Sequence, residues 1–408
     1  MYIGLDVHKE FIQVATLKDA SSEVEESFRI DATVKAIVKF ARTLGKKDNV
    51  VLECTTHSYP IASLLRKHGA NVVISNPIQT KLIAKSRTKT DKIDAEKLAR
   101  LCASGHLPTI WQPPDEIIAK RKLMTYLGGL VSQRIIVKNR VHAILHRNLI
   151  DYRDRLSLFN GVGMEYLNEI KESLPLNEKF QIELELKLLE SFEDILKRTK
   201  KKIAQIVMED EEAKRLMTIP GVDYLTAFTL MAVIGDITRF KSPKKLVSYF
   251  GLFPSVYQSG KSATTGRITK SGSIYARYAL VQSSKQVARM DGPLQAFFDR
   301  LAKKKQKNKA TIAVASKLTR IVWKMLTKKE DYYFPYPLMV KEKMARLRII
   351  ATGKRLKAGK KINADGISGR QRYLEARKHD HDDAIKAEQN YIDFVANRMV
   401  SEKSAKSA

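Results

Sequence analysis

Cysteine is scarce in this chain of 408 residues, which contains only Cys54 and Cys102. Two cysteines cannot build a disulfide framework, and a cysteine-based zinc site is not expected, so a reducing cytoplasm is the predicted compartment. Long apolar runs are also missing, since no stretch of about eighteen apolar residues occurs and no membrane span is expected. Residues 2–7 have the pattern of a strand and not that of a signal peptide, so no secretory leader is predicted.

Acidic residues are too few to balance the basic ones. Asp and Glu total 44 against 74 Lys and Arg, which gives a formal net charge of +30. Phosphate backbones attract such a surplus, and the counterions they release strengthen binding at low salt. Nucleic acid is therefore the expected partner class. The alternatives are a heavily solvated surface or a ribosome-associated protein without chemistry. The 44% hydrophobic content excludes wholesale disorder.

Strand-like and helix-like segments alternate through the first part of the chain. Two strands are predicted at 2–7 and 11–17, joined by the polar turn His8–Glu10. Further strands are predicted at 24–30, 49–53 and 71–75, and helices at 32–44, 58–69 and 91–104. This alternation predicts an α/β layered domain. Pro113 and Pro114 interrupt the pattern, so the first predicted domain is 1–112.

Helical periodicity dominates the second predicted domain, 113–212. One apolar stripe follows residues 115–150 and another follows 178–208. The segment 182–186 alternates like a strand, but the near-heptad spacing of the longer window favours a helix. Two long helices with apolar seams predict a helical hairpin or a coiled coil, and hence self-association of the chain. An intramolecular helical bundle is the alternative.

Two further regions complete the predicted organisation. Residues 213–335 are predicted to form a mostly helical domain, with helices at 223–235, 242–250, 274–290 and 309–327 and a Gly/Ser/Thr-rich loop at 254–273. Residues 336–408 are predicted to form a basic, weakly patterned C-terminal extension. The expected fold class is thus an α/β domain followed by α-helical regions.

Four carboxylates occupy positions that suggest a shared site. Asp6 lies inside an apolar strand and Glu53 ends another, where an unpaired carboxylate is costly. Asp91 and Asp94 are three residues apart at a helix start, so both can face the same way. Such hard oxygen donors suit Mg²⁺ or Mn²⁺, and two ions can activate the attacking oxygen and stabilise the leaving oxygen in phosphodiester chemistry. Taken singly, each carboxylate has a simpler explanation, such as a helix cap for Asp91, a solvated charge for Asp94 or a lysine partner for Asp6.

The order of these motifs resembles a known family. The segments Gly4-Leu5-Asp6-Val7-His8, Leu52-Glu53 and Lys89-Thr90-Asp91-Lys92-Ile93-Asp94-Ala95 are similar to the RuvC-like, ribonuclease-H-like domain of the DEDD transposases of the insertion-sequence 110 family, relatives of the Piv/MooV DNA invertases. The resemblance implies that Asp6, Glu53, Asp91 and Asp94 form the acidic tetrad, which holds two Mg²⁺ or Mn²⁺ ions.

A second group of motifs lies in residues 213–335. Pro220-Gly221 before a predicted helix resembles a helix-hairpin-helix element, in which amides at a helix N-terminus hold a phosphate and Gly221 lets the backbone approach closely. Hydroxyls, glycines and cations then concentrate in 254–273. Such a loop can wrap a phosphate that is neutralised by the cations Lys261, Arg267, Lys270 and Arg277. A structural Pro-Gly turn and a flexible loop are the alternatives.

This block is also similar to the C-terminal domain of the same family, so the resemblance covers about residues 1–335. It implies a catalytic serine after the run Gly251-Leu252-Phe253-Pro254, which is Ser259 here, with Ser255 and Ser262 as neighbouring candidates. A serine hydroxyl needs activation. The resemblance implies that the acidic domain, contributed by another protomer, supplies it, and that attack on DNA gives a phosphoserine and a free 3′-hydroxyl.

The resemblance also implies the partners. They are DNA, as element ends and target, a structured guide (bridge) RNA, and further copies of the chain in a dimer or tetramer. The expected location is the cytoplasm, with nucleoid association. Two other functions stay open: a RuvC-like hydrolytic nuclease or Holliday-junction resolvase that uses only the carboxylates, and a non-catalytic nucleic-acid-binding scaffold.

Overall fold

The structure is a computed structural model that describes residues 1–83, 90–152, 158–260, 262–290, 292–334, 336–354 and 369–407. The chain divides into two compact units, Met1–Pro114 and Asp115–Ala408. Separate hydrophobic clusters of buried residues lie in the first unit and in the second.

The described part of the first unit contains five strands and four helices. The strands are β1 (Tyr2–Val7), β2 (Phe11–Leu17), β3 (Glu26–Asp31), β4 (Asn49–Glu53) and β5 (Asn71–Ser75). The helices are α1 (Val34–Ala41), α2 (Ser58–Lys67), α3 (Pro77–Ile83) and α4 (Asp91–Ala103). The α/β class predicted for this region is confirmed, whereas its assignment as RuvC-like stays a prediction.

The five strands form one mixed sheet in the order β3-β2-β1-β4-β5. Strand β1 is central, because it pairs antiparallel with β2 and parallel with β4. Ile3 and Leu5 face a core that α1 and α2 share. Since successive residues of a strand point to opposite faces, Gly4 and Asp6 face the other side, where α4 packs.

The second unit is mostly helical. Its helices are α5 (Asp115–Arg147), α6 (Gly161–Ile170), α7 (Leu176–Glu209), α8 (Glu211–Met217), α9 (Tyr224–Ile234), α10 (Pro243–Tyr249), α11 (Ile274–Val287), α12 (Pro293–Ala302), α13 (Lys307–Lys328), α14 (Pro337–Thr352) and α15 (Gly369–Ser407). Helix α9 is apolar almost all round and therefore lies at the centre, in contact with α5, α7, α8 and α11. Across the described residues, no helix combines the length and apolar character needed to cross a membrane.

Helices α5 and α7 pack antiparallel within the chain. Arg134 near the middle of α5 pairs with Glu193 of α7, and Arg147 at the end of α5 pairs with Glu178 near the start of α7. The predicted apolar seams are buried, including Val137, Val141, Ile144, Leu145, Ile182, Leu189, Leu196 and Ile203. The two helices thus form a helical hairpin inside one chain, and self-association through a coiled coil stays a prediction.

One prediction for the second unit is wrong. The segment predicted as a Gly/Ser/Thr-rich loop contains two antiparallel strands, β6 (Pro254–Ser259) and β7 (Ser262–Ile268). The C-terminal extension, for which no elements were predicted, contains the long helices α14 and α15. Lys, Arg, Glu and Ala favour helices even where apolar periodicity is faint, and contacts with α12 and α14 hold α15 in place.

Candidate active site

Strand β1 and helix α4 approach so closely that only glycine fits between them. A Cβ atom at Gly4 would lie 1.9 Å from the carbonyl oxygen of Ala95 and 2.8 Å from the amide nitrogen of Ala99. Asp6 lies on the same face of β1 as Gly4, and Asp91 lies about one turn before Ala95 on α4. The close contact at Gly4 therefore brings the strand carboxylate to the first turn of the helix.

The imidazole of His8 lies between these two carboxylates. Its Nε2 atom is 3.1 Å from Oδ2 of Asp6 and 3.3 Å from Oδ1 of Asp91. One potential ligand atom from each of the three side chains lies within 4.8 Å of the others. All three residues are only partly buried, so a solvated ligand can reach them.

Asp91 is held from its far side by a chain of hydrogen bonds. The guanidinium of Arg29 donates from Nη2 to Oδ2 of Asp91 over 3.1 Å. The Nε atom of Arg29 donates over 3.1 Å to Oε1 of Gln13, a fully buried side chain on β2. This chain fixes one oxygen of Asp91 and leaves the other directed at His8.

The start of α4 is capped by its neighbour Thr90. The Thr90 hydroxyl accepts a hydrogen bond from the amide of Ile93, so the capping explanation for Asp91 is wrong. Asp94 forms an ion pair with Lys97 at 3.0 Å and still acts electrostatically on Asp6. The two helix carboxylates thus differ, because Asp91 faces the His8 cluster directly and Asp94 is paired within its own helix.

Glu53 reaches the same side of the sheet from β4. The register aligns Gly4 with Val51, and two residues further along each strand are Asp6 and Glu53. Parallel neighbours in register point to the same face, and adjacent strands are about 4.8 Å apart. The backbone therefore places Glu53, which is half-buried, next to Asp6. Glu53 does not belong to the cluster of Asp6, His8 and Asp91.

The surroundings of Asp6 act on its pKa in opposite directions. Burial raises the pKa of Asp6, the contact with His8 lowers it, and the nearby Asp94 and Asp91 raise it again. A divalent cation relieves this cost because it neutralises adjacent carboxylates. Two carboxylate oxygens and one imidazole nitrogen form a donor set that fits such an ion.

Ser259 lies at the tip of the β6–β7 hairpin. It pairs with Ser262 of β7, and Gly260, which follows it, has a φ of +55°. Glycine adopts this left-handed conformation without strain, which allows the tight turn. Ser259 is exposed, and its hydroxyl has no hydrogen-bond partner among the residues that the structure describes.

The neighbouring candidate Ser255 is engaged within the hairpin. Its hydroxyl donates to the carbonyl oxygen of Arg267 over 3.3 Å. It also covers Gly266, where an added Cβ atom would lie 2.3 Å from the Ser255 Oγ atom. The tip serines Ser259 and Ser262 therefore present their hydroxyls more openly than Ser255 does.

The predicted phosphate-binding cations have different surroundings. Arg277 on α11 donates from Nη1 to the carbonyl oxygens of Phe250 and Ser271, at 3.2 and 2.9 Å, and so holds the base of the hairpin. Arg267 and Lys270 are exposed. Lys261 lies outside the described residues. A phosphate-binding role for these four residues stays a prediction, and Arg277 has a structural role in addition.

Gly221 has a packing role in the turn between α8 and α9. Its φ is +73°, and an added Cβ atom would lie 2.9 Å from the carbonyl oxygen of Ser283 on α11. The N-terminus of α9 is capped by Asp223, whose carboxylate accepts from the amide of Thr226 at 2.8 Å. A carboxylate at this position competes with a phosphate, so phosphate binding at Gly221 stays a prediction.

Lys343 of α14 fixes the same turn from the other side. Its Nζ atom donates over 2.8 Å to the carbonyl oxygen of Met217 and over 2.6 Å to that of Ile219. Burial lowers the pKa of Lys343 to about 8. The C-terminal region thus directly supports the turn between α8 and α9.

Sequence analysis missed two side chains of this cluster, and the sequence contained a signal for only one of them. His8 follows Asp6 by two residues, the spacing that places side chains on one face of a strand, but it was assigned only to a polar turn. Arg29 is a single cation on a strand, and its position opposite Asp91 depends on the tertiary contact between sheet and helix. No sequence pattern predicts that contact.

Two family models match this chain. Residues 3–149 match a model described as a transposase, of the DEDD and IS110 type. Residues 213–299 match a model described as "Transposase IS116/IS110/IS902 family". The first match contains all four predicted carboxylates, and the second contains the hairpin with Ser259.

Individual relatives are similar over most of their length. The pilin gene-inverting protein of Moraxella bovis is 30% identical over 295 residues, which span 70% of this chain and 81% of that protein. The transposase for insertion sequence element IS1533 of Leptospira borgpetersenii is 30% identical over 256 residues, 58% of this chain and 70% of that protein. The transposase for insertion sequence element IS1111A of Coxiella burnetii is 23% identical over 269 residues, 65% and 73% of the two chains.

Proposed function

Since this chain belongs to the IS110-type transposase family, we propose that it is a DNA recombinase that uses divalent cations and a serine nucleophile. The observation that carries the proposal is the convergence of Asp6, His8 and Asp91 where β1 meets the start of α4. Glu53 and Asp94 complete the proposed carboxylate set on the same side of the sheet.

The carboxylates are proposed to hold two ions, Mg²⁺ or Mn²⁺. Bound there, such ions would stabilise negative charge on a DNA phosphate during strand cleavage. The protein's own contribution is to hold the ligands in place: Gly4 sets the distance between strand and helix, and Arg29 fixes the second oxygen of Asp91. Side chains that are already oriented bind an ion without losing further conformational freedom.

Ser259 is proposed as the nucleophile. Its oxygen forms a bond to phosphorus while the bond from phosphorus to the 3′-oxygen breaks. The serine proton passes to solvent, and the departing oxygen becomes a free 3′-hydroxyl. A 3′-hydroxyl from a second strand then attacks the phosphoserine and releases the serine, so the number of ester bonds is unchanged. The exposed hairpin tip and its unpartnered hydroxyl, among the described residues, support this assignment.

DNA is the proposed substrate, as element ends and as target. A net charge of +30 suits binding to polyanions and supports a second proposed partner, a structured guide (bridge) RNA. The exposed cations Arg267 and Lys270 are proposed to contact phosphates beside the hairpin. A dimer or tetramer and a cytoplasmic, nucleoid-associated location belong to the same proposal.

A strand-transfer assay tests the proposal. The substrate is supercoiled DNA that contains the segments flanking the gene, with RNA transcribed from the adjoining noncoding segment and with Mg²⁺ or Mn²⁺. The wild-type protein should form a covalent adduct with DNA, and peptide mass spectrometry should find the nucleotide on Ser259. Ser259→Ala should abolish both adduct and recombination, while the control Ser255→Ala should retain the adduct.

The same assay separates the alternatives. A hydrolytic nuclease or junction resolvase would leave free 5′-phosphates and would keep cutting DNA after Ser259→Ala. A scaffold would show no cleavage in the wild type, so Asp6→Ala and Glu53→Ala would change nothing. An adduct that maps to Ser262 would show that the assignment of the nucleophile is wrong.

A further inference from the structure

His8 is oriented more firmly than an ordinary turn residue. Its ring stacks on Phe11, with ring centroids 4.7 Å apart and an angle of 28° between the planes. Its backbone amide donates over 2.9 Å to the carbonyl oxygen of Phe11, which closes the turn. Phe11 is also held by Arg29, whose guanidinium lies 4.2 Å from the centroid of the Phe11 ring. The Nε2 atom is thereby directed at the carboxylates.

The two distances from His8 to the carboxylates are close to those between neighbouring ligands of an octahedral cation. A small divalent ion lies about 2.1 Å from each ligand, which places neighbouring ligands about 3 Å apart. The Nε2 atom of His8 is 3.1 Å from Asp6 Oδ2 and 3.3 Å from Asp91 Oδ1. The ligand atoms of Asp6 and Asp91 lie within 4.8 Å of each other, so an ion can be held between the three atoms once the side chains adjust around it.

We propose that His8 is itself a ligand of the bound cation, through Nε2, and makes the site selective for Mn²⁺ over Mg²⁺. This inference rests on the proposed function, which places an ion at Asp6 and Asp91. Imidazole nitrogen binds first-row transition metals readily, whereas Mg²⁺ is held almost entirely by oxygen and keeps its waters. A nitrogen ligand therefore adds affinity for Mn²⁺ and little for Mg²⁺.

The contacts of Asp91 leave one of its oxygens available for an ion that Asp6 and His8 also bind. Arg29 occupies Oδ2 of Asp91 and leaves Oδ1 for the ion, so this carboxylate would bind through one oxygen. Hydrogen bonds to the second oxygen are common for carboxylates that bind metals, and they keep the ligand oriented. Asp6, Asp91 and His8 would then supply three ligands, and water or a DNA phosphate would supply the rest.

Ion binding to the full-length protein tests the inference directly. Mn²⁺ affinity is measured by the electron paramagnetic resonance signal of the free ion, and Mg²⁺ affinity is measured by calorimetry. His8→Ala should weaken Mn²⁺ binding at least tenfold and change Mg²⁺ binding less than about twofold. Asp6→Asn should weaken binding of both ions. His68→Ala, which removes an exposed histidine of the same unit, should leave both affinities unchanged.

A spectroscopic signature provides an independent readout. Mn²⁺ bound by the wild type should show electron-spin-echo modulation from a directly coordinated nitrogen, and this modulation should disappear in His8→Ala. His8→Gln keeps a polar side chain in the turn and offers an oxygen ligand in place of nitrogen. It should also lose the nitrogen signal while it retains Mg²⁺ binding, which keeps the test valid if His8→Ala folds poorly.

Each other outcome has a distinct meaning. If His8→Ala leaves Mn²⁺ affinity and the nitrogen modulation unchanged, His8 is not a ligand and the inference fails. If His8→Ala strengthens the binding of both ions equally, the imidazole only occupies the position that an ion displaces, and the inference fails again. If Asp6→Asn binds both ions as tightly as the wild type, the proposed metal centre itself fails.

Discussion

The carbonyl oxygen of Ala95 lies where the Cβ atom of any larger residue at position 4 would be, only 1.9 Å from an ideal Cβ on Gly4. Gly4→Ala must push the helix away from the strand, because the obstacle is backbone and cannot rotate aside. We expect a loss of about 1–3 kcal/mol in the free energy of unfolding, together with weaker ion binding. Thermal unfolding and calorimetric ion titration measure the two effects.

Gly129→Ala is the matched control for this substitution. Gly129 is exposed on α5, and an added Cβ atom would meet no atom within 4 Å. Alanine in a helix interior is more stable than glycine by about 0.5–1 kcal/mol. The control should therefore raise Tm slightly, and a similar gain for Gly4→Ala would contradict the proposed close packing of β1 and α4.

Replacement of aspartate by asparagine should change the stability of the protein in opposite directions at Asp6 and at Asp19. Burial raises the pKa of Asp6, so its ionised form costs stability near neutral pH, and that cost disappears as pH falls and the group is protonated. Hydrogen bonds from Ser21 and Ser22 lower the pKa of Asp19 to about 2, so its ionised form is stabilising near neutral pH, and that contribution is lost as pH falls from about 4 to about 2.

In ion-free protein at neutral pH, Asp6→Asn should therefore raise Tm and Asp19→Asn should lower it. Added Mn²⁺ should raise the Tm of the wild type and of Asp19→Asn, because an ion that binds the folded state stabilises it. It should raise the Tm of Asp6→Asn less, because this substitution weakens ion binding. A lower Tm for ion-free Asp6→Asn would show that Asp6 has a stabilising ion-pair role instead.

Substitutions at Arg277 and Arg267 should affect different properties: the first should lower stability, and the second should weaken DNA binding. Arg277→Leu removes charged donors from the carbonyl oxygens of Phe250 and Ser271, so it should lower the free energy of unfolding by about 1.5–3 kcal/mol. Arg267→Ala removes an exposed cation and should change stability by less than about 0.5 kcal/mol. It should instead reduce the dependence of DNA affinity on salt by about one unit of slope. Urea unfolding measures the change in stability, and DNA-binding titrations at several salt concentrations measure the change in slope.

Lys343 is expected to make the stability of the second unit rise with pH. Its pKa is about 8 in the folded protein and 10.5 as the ordinary value, so between these values only the unfolded chain keeps the proton. Stability should therefore increase from pH 8 towards pH 10.5, by up to about 3 kcal/mol from this group. Chemical unfolding at pH 7.5, 9 and 10 should show this rise in wild type relative to Lys343→Met.

Lys341→Met is the control for that experiment, because Lys341 lies on the same helix with its side chain exposed. It should show the same pH dependence as the wild type. If Lys343→Met also matches the wild type at every pH, burial does not lower the pKa of Lys343 in the folded protein.

The first unit was predictable because its segments differ in their local pattern. Residues 2–7 and 11–17 are apolar runs around a short polar turn, and they form the antiparallel pair β1 and β2. The hairpin β6–β7 was missed because serine, threonine and glycine favour turns and give little apolar alternation. Strand pairing within one exposed hairpin compensates for that weak local preference.

The candidate site was predictable only in part, for a similar reason. A carboxylate within an apolar strand signals an unusual environment, so Asp6 and Glu53 could be selected from the sequence. The roles of His8 and Arg29 depend on where α4 packs, and that position is set by the absence of a side chain at Gly4. Tertiary contacts of this kind leave no periodic trace in the sequence.

The most direct test of the account is anomalous diffraction from a crystal of the protein soaked in Mn²⁺. We predict an anomalous peak between Asp6, His8 and Asp91, about 2.1 Å from the nearest atom of each. A crystal with these three side chains ordered and no peak between them, or with Asp6 and Asp91 far apart, would contradict the proposed metal centre.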